Sequence, residues 1–94
     1  MKYIVFRTEF SNGLIREFPV LFPSDLTHSD VSLALIANCI ELKNAKPVGA
    51  GEISCTDIHP TCHGQSSTLG VKSRGKLDNV AFTMRDYNHG MVDK

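Results

Sequence analysis

KYIVFRTEFSNGLIREFPVLFP, residues 2–23, holds two apolar runs on either side of Ser11-Asn12-Gly13, and the register between them decides the fold. A two-residue Asn-Gly loop would set Phe10 against Ile15 and leave both faces mixed. A three-residue loop pairs Phe10 with Leu14, Phe6 with Phe18 and Ile4 with Val20. It gathers Ile4, Phe6, Phe10, Leu14, Phe18, Val20 and Phe22 on one face and sets Arg7 opposite Glu17. Side chains alternate along a strand, so a one-residue slip would carry the whole apolar set to the other face. The three-residue register is therefore expected, with Gly13 in the left-handed position of a bulged turn, where a Cβ is unwelcome. Pro19 has no N–H, so the second strand is expected to be an edge there or to be bulged.

Outward from the hairpin, Phe22-Pro23-Ser24-Asp25 closes it and a helix is expected over 29–43. Thr27 or Ser29 suits its cap, and Asp30 favours its first turn. Val31, Leu35, Cys39 and Leu42 form an apolar stripe with Ile36 and Ile40 beside it, leaving Ser32, Asn38, Glu41 and Lys43 toward water. Asn44 and Pro47 mark its end. Residues 47–55 read as a third strand whose small residues, Gly49-Ala50-Gly51, let a backbone or a ligand come close. Residues 62–69 read as a fourth strand antiparallel to the third, and 71–76 as a basic turn. In the last element Val80, Phe82 and Met84 alternate as in a strand, whereas Leu77, Val80, Ala81 and Met84 fit helical spacing and Asn88-His89-Gly90 resembles a helix end, so a helix is the preferred reading. The expected fold is α+β, one domain over 1–94, an antiparallel sheet with two helices in the order ββαββα.

Composition narrows the function classes. The chain has 94 residues, 41% hydrophobic and 21% charged, the profile of a globular domain. Ten basic residues balance ten acidic ones, so the bulk electrostatic attraction that drives nucleic-acid binding is missing. No apolar run approaches the roughly 20 residues that span a bilayer. The start, MKYIVFRTEF, reads as a strand and not as a signal peptide. Three cysteines, an odd number, suit reduced thiols in a cytoplasm.

Two stretches carry candidate chemistry. In 55–63, Cys55, His59, Cys62 and His63 fall within nine positions, but the spacing is not that of paired zinc ligands. Cys62 and His63 are adjacent, so on a strand they point to opposite faces and at most three ligands remain. A thiol site built on Cys62 with His59, His63 and Asp57 is the catalytic alternative. A connecting loop, with Asp57 and Pro60 as turn formers, is the reading preferred here. In 64–76, three glycines, four hydroxyls and three cations cluster without the spacing of a phosphate-binding P-loop. Ser66, Ser67, Lys72, Ser73 and Arg74 are the candidate ligand-binding residues, the arginine for its planar fork and the serines as donors. Ser73 also suits a helix cap. His28, just before the first helix, is placed to cover the helix entry.

Several of these pieces together resemble a family of short uncharacterised phage and prophage proteins. The resemblance rests on Phe22-Pro23, then His28-Ser29-Asp30-Val31, then Gly49-Ala50-Gly51, then Gly64-Gln65-Ser66 through Leu69 to Ser73-Arg74, with Asp78 beyond. It implies a phage accessory or early protein acting on host defence, and it transfers no catalytic residue. With no paired carboxylates, triad or complete metal signature, the expected function is that of a small cytoplasmic binding protein without turnover or cofactor. It would hold a host protein or a nucleotide-like molecule, and its edge strands and apolar hairpin suit a homodimer.

Overall fold

A computed structural model describes residues 1–54 and 59–83. Strand β1, Lys2–Glu9, and strand β2, Ile15–Phe22, pair antiparallel with Ile4 opposite Val20, Phe6 opposite Phe18 and Arg7 opposite Glu17. This is the register of the three-residue loop. The Phe10 N–H donates to the Leu14 carbonyl at 2.8 Å, and the Gly13 N–H to the Phe10 carbonyl at 2.9 Å. Gly13 has φ of +86°, the left-handed conformation foreseen for it. Counting the ladder from the Phe10–Leu14 bond makes Val5–Pro19 a pair that exchanges no hydrogen bonds. Pro19 therefore lies where an N–H would have pointed away from β1, and its missing donor costs the ladder nothing.

The chain continues through helix α1, His28–Asn38, a single 3-10 turn, Ile40–Leu42, and strand β3, Lys46–Ser54. Strand β4, Thr61–His63, follows, then β5, Gln65–Ser66, and β6, Val71–Lys72. Residues 76–83 form a second helix, α2. The main sheet runs β2-β1-β3-β4, all antiparallel, and β5 and β6 make a separate two-stranded ribbon. The α+β architecture, an antiparallel sheet with two helices in the order ββαββα, is thus present, with the small ribbon inserted before the last helix. The fourth strand is shorter than expected because Gly64, at φ +81°, turns the chain out of the sheet. Part of the expected basic turn is β6.

The hairpin pattern asked for one buried face; the sheet buries both. Tyr3, Ile4, Val5 and Phe6 are all fully buried. Ile4 and Phe6 join Phe22, Leu42, Ala45 and Ala50 in one cluster, while Tyr3 and Val5 join Ile53, Cys62 and Phe82 in another. β1 lies between β2 and β3, so one strand feeds two cores. Beside Pro47 the β1–β3 register shifts between Val5 and Phe6, leaving Val48 as the extra residue of a bulge.

Two helices are present as expected, but the first, expected over 29–43, ends at Asn38 and gives way to the 3-10 turn, and the buried faces differ. Thr27 caps α1, accepting from the Asp30 N–H at 3.1 Å. The helix stops at Asn38, whose side chain donates to the Ala34 carbonyl at 2.6 Å, and Cys39 is extended. Val31, Leu35, Ile36 and Cys39 pack against the core as the stripe required. Ser32, expected toward water, is buried, and Ile40, expected beside the stripe, is 85% exposed because the 3-10 turn rotates it outward. In α2 the apolar spacing holds only for Ala81, which packs against the core: Leu77 and Val80 are exposed, whereas Asp78 and Phe82, one turn apart, are buried. Met84, Asn88, His89 and Gly90 lie outside the described residues.

Candidate functional site

The buried face of α2 is held by a polar network. Asp78, fully buried, accepts from the Tyr3 hydroxyl at 2.5 Å, the Arg74 Nε at 2.7 Å and the Arg74 backbone N–H at 2.9 Å. The other two guanidinium nitrogens of Arg74 donate to both Glu17 oxygens, at 3.0 and 2.8 Å, and Arg7 reaches the same carboxylate. The chain of contacts links β1, β2 and the start of α2. Burial first, then the bond to Asp78, pushes the Tyr3 phenol far above its usual range. The hydrogen bonds from Arg74, foremost, hold the Glu17 carboxyl below its usual range. Those to Glu17, foremost, raise Arg74 further, so its charge is fixed. Gly49 lies directly beneath the Asp78 carboxylate, with no room for a Cβ.

This network reassigns the candidate ligand residues of 64–76. Arg74, proposed from its fork as the anion grip, has that fork closed on Glu17 and Asp78. Ser73 accepts from the Gly75 N–H at 3.0 Å, so it shapes the entry to α2. Ser66 is buried and accepts from the Leu69 N–H at 3.1 Å, closing the 66–70 turn. Lys72 is exposed on β6, paired with Gln65. Ser67 lines a polar cleft. The small-residue strand admits close neighbours as anticipated, but they are the protein's own: Asp78 at Gly49, and the backbone of 63–65 at Gly51.

In the Cys/His stretch, Cys62 is buried beside Tyr3, Val5 and Phe82, whereas His63 is exposed with its ring 3.4 Å from Ser54 Oγ. The two neighbours diverge, as strand geometry demands. The Cys62 backbone N–H is held by the Asn79 side chain at 2.7 Å, a further tie to α2. His59 is exposed, and Cys55 and Asp57 lie outside the described residues. Among the described residues no three of His, Cys, Asp and Glu converge as a metal would require. No helix among them is long and apolar enough to cross a membrane.

The cleft itself is assembled from four segments. Lys2 and Glu52 face each other across β1 and β3; Thr27 and His28 enter at the start of α1; Gly64, Gln65, Ser67 and Thr68 close it. Its volume is about 230 Å³. His28 forms its inner wall: its Nε2 donates to the Gly51 carbonyl at 3.0 Å, and its ring stands edge-on to Phe22 with centroids 5.2 Å apart. That pins α1 to β3. The first-turn amides of α1 are already engaged, Ser29 N–H with Thr68 Oγ1 at 3.2 Å and Asp30 N–H with Thr27. Chemistry toward a ligand would come from the Lys2 ammonium, which also donates to the Leu26 carbonyl at 2.9 Å, the Glu52 carboxylate, the Gln65 amide, the Ser67 hydroxyl and what the Thr68 hydroxyl can offer beyond its bond to Ser29. Gln65 and Thr68 stood inside the polar run that the sequence singled out. Lys2 and Glu52 had no local signal, since only the β1–β3 register joins them. Comparison with protein-family models, curated proteins and solved structures returns no match.

Proposed function

We propose that this chain is a small phage-encoded binding protein without catalytic activity, and that it sequesters a nucleotide-like molecule by its sugar-phosphate part. The observation that carries the reading is the convergence of Lys2, Glu52, the α1 entry and the 64–68 turn on one polar cleft. A cleft of about 230 Å³ is smaller than those that enclose drug-sized ligands. It suits a sugar phosphate with any base left outside, since no Phe, Tyr or Trp lines it and the His28 ring is already packed edge-on to Phe22. The ammonium of Lys2 suits a phosphate as a point charge. The Glu52 carboxylate is an acceptor for sugar hydroxyls, and Gln65, Ser67 and Thr68 offer both donors and acceptors. Nothing in the cleft is arranged as a nucleophile with its base, so the reading is of binding and not of turnover. In a phage such a protein would lower the level of a host nucleotide signal. Cys62, on which the thiol alternative rests, turns into the core.

Calorimetry with ribose 5-phosphate, adenosine monophosphate and adenosine tests the reading. Binding of both phosphates and none of the nucleoside is expected. Lys2→Ala should weaken that binding by about tenfold to a hundredfold, the scale of one charge-assisted contact, with only the small drop in melting midpoint that loss of its exposed bond to the Leu26 carbonyl brings. If neither phosphate binds, the cleft is a surface irregularity and the reading fails.

A further inference from the structure

We infer that the groove between β2 and the α1–Leu42 segment is the face on which a second copy of this chain docks, with Arg16 and Glu41 exchanged across a two-fold axis. The groove runs from the hairpin tip, at Phe10 and Leu14, over Phe18 to Val20, Leu35 and Leu42. Phe10 and Leu14 belong to the apolar face of the hairpin, but α1 does not reach them, and they are 42% and 50% exposed. Phe10 and Leu14 line one hollow together, and it is contiguous exposed apolar surface of this kind that marks a contact site.

Two observations identify the occupant. First, Arg16 and Glu41 line the same hollow, and neither makes an ion pair among the described residues. In a two-fold interface, residue i meets residue j and j meets i, so one unpaired cation and one unpaired anion on each copy form two pairs between copies. Second, Pro19 occupies an outward position at the middle of the β2 edge. It removes the donor that a continuous sheet across two copies would need, so docking is by side chains over the groove and not by strand addition. The chain carries no net charge that would repel its twin. A standard interface needs about 800 Å² from each partner, a modest part of the 6459 Å² surface. The groove shares no lining residue with the polar cleft, so this inference stands or falls apart from ligand binding.

The test is sedimentation equilibrium on the whole chain with charge reversals and their mixture. Wild type should dimerise. Arg16→Glu and Glu41→Arg should each weaken the dimer by about tenfold or more, because each sets two like-charged pairs across the axis. An equimolar mixture of the two variants should recover the wild-type dimer, since both contacts of the mixed pair become Glu–Arg. Melting curves of the separate variants confirm that each is folded; if one is not, Arg16→Ala with Glu41→Ala gives the same comparison by loss of attraction. A monomeric wild type overturns the inference and leaves the groove to a different protein. A dimer indifferent to both reversals, or a mixture without recovery, overturns it as well.

Discussion

Gly49→Ala tests the central claim that α2 is fixed by a buried carboxylate and not by an apolar stripe. A Cβ at Gly49 would stand 2.7 Å from the Asp78 Cγ and closer still to both oxygens. Real Cβ contacts lie about 3.4 Å or farther apart, so the carboxylate must move by most of an ångström. A flexible side chain end on the surface would yield at little cost. Asp78 is instead fully buried and held by Tyr3 and by two nitrogens of Arg74. Accommodation means overpacking, at about 1–3 kcal/mol, or rupture of a buried charged network, at about 3–5 kcal/mol. A loss of about 3 kcal/mol is expected, a large share of the roughly 5–14 kcal/mol available to a chain of this length. The melting midpoint should fall by about 12–24 °C. Urea denaturation of Gly49→Ala, Asp78→Ala and the double variant completes a cycle. Removing the carboxylate opens the space, so in the Asp78→Ala background the glycine change should cost less than about 1 kcal/mol. An equal cost in both backgrounds, or no cost in the wild type, would refute the account of how α2 is seated.

Phe6→Ala, at a fully buried position, should cost about 3–5 kcal/mol, whereas Phe18→Ala, half-buried on the groove, should cost clearly less; denaturant midpoints decide the order. Glu17 has a lowered folded pKa, so its contribution is present above the usual carboxylate range and lost as pH falls through the folded value. Acid titration of stability should show this loss in wild type and less of it in Glu17→Gln. The Tyr3 phenol is raised in the fold, so its contribution is complete below about pH 10, the unfolded value, and declines above it. Tyr3→Phe should flatten the alkaline limb of the stability profile at the cost of one hydrogen bond.

By itself the sequence determined what depends on near neighbours. The hairpin register followed from the two-residue period and from the demand of Gly13 for a left-handed turn, both effects acting within a few positions. The Thr27 cap, the edge position of Pro19, the third strand and the presence of two helices were legible for the same reason. The divergence of Cys62 and His63 needed only the pleat. Tertiary structure alone decided which helix faces are buried and what the polar loop does. Apolar spacing assigns Asp78 to water. It enters the core because Tyr3, Arg74 and Gly49, separated from one another in the chain by dozens of residues, together hydrogen-bond it and leave it space. The same network closes the fork of Arg74, which read in isolation is an open anion grip. Lys2 and Glu52 meet only through the pairing of β1 with β3. Local preference acts along the chain, whereas burial of a charge is settled by which distant groups arrive to compensate it, and that is known only once the sheet and helices have assembled.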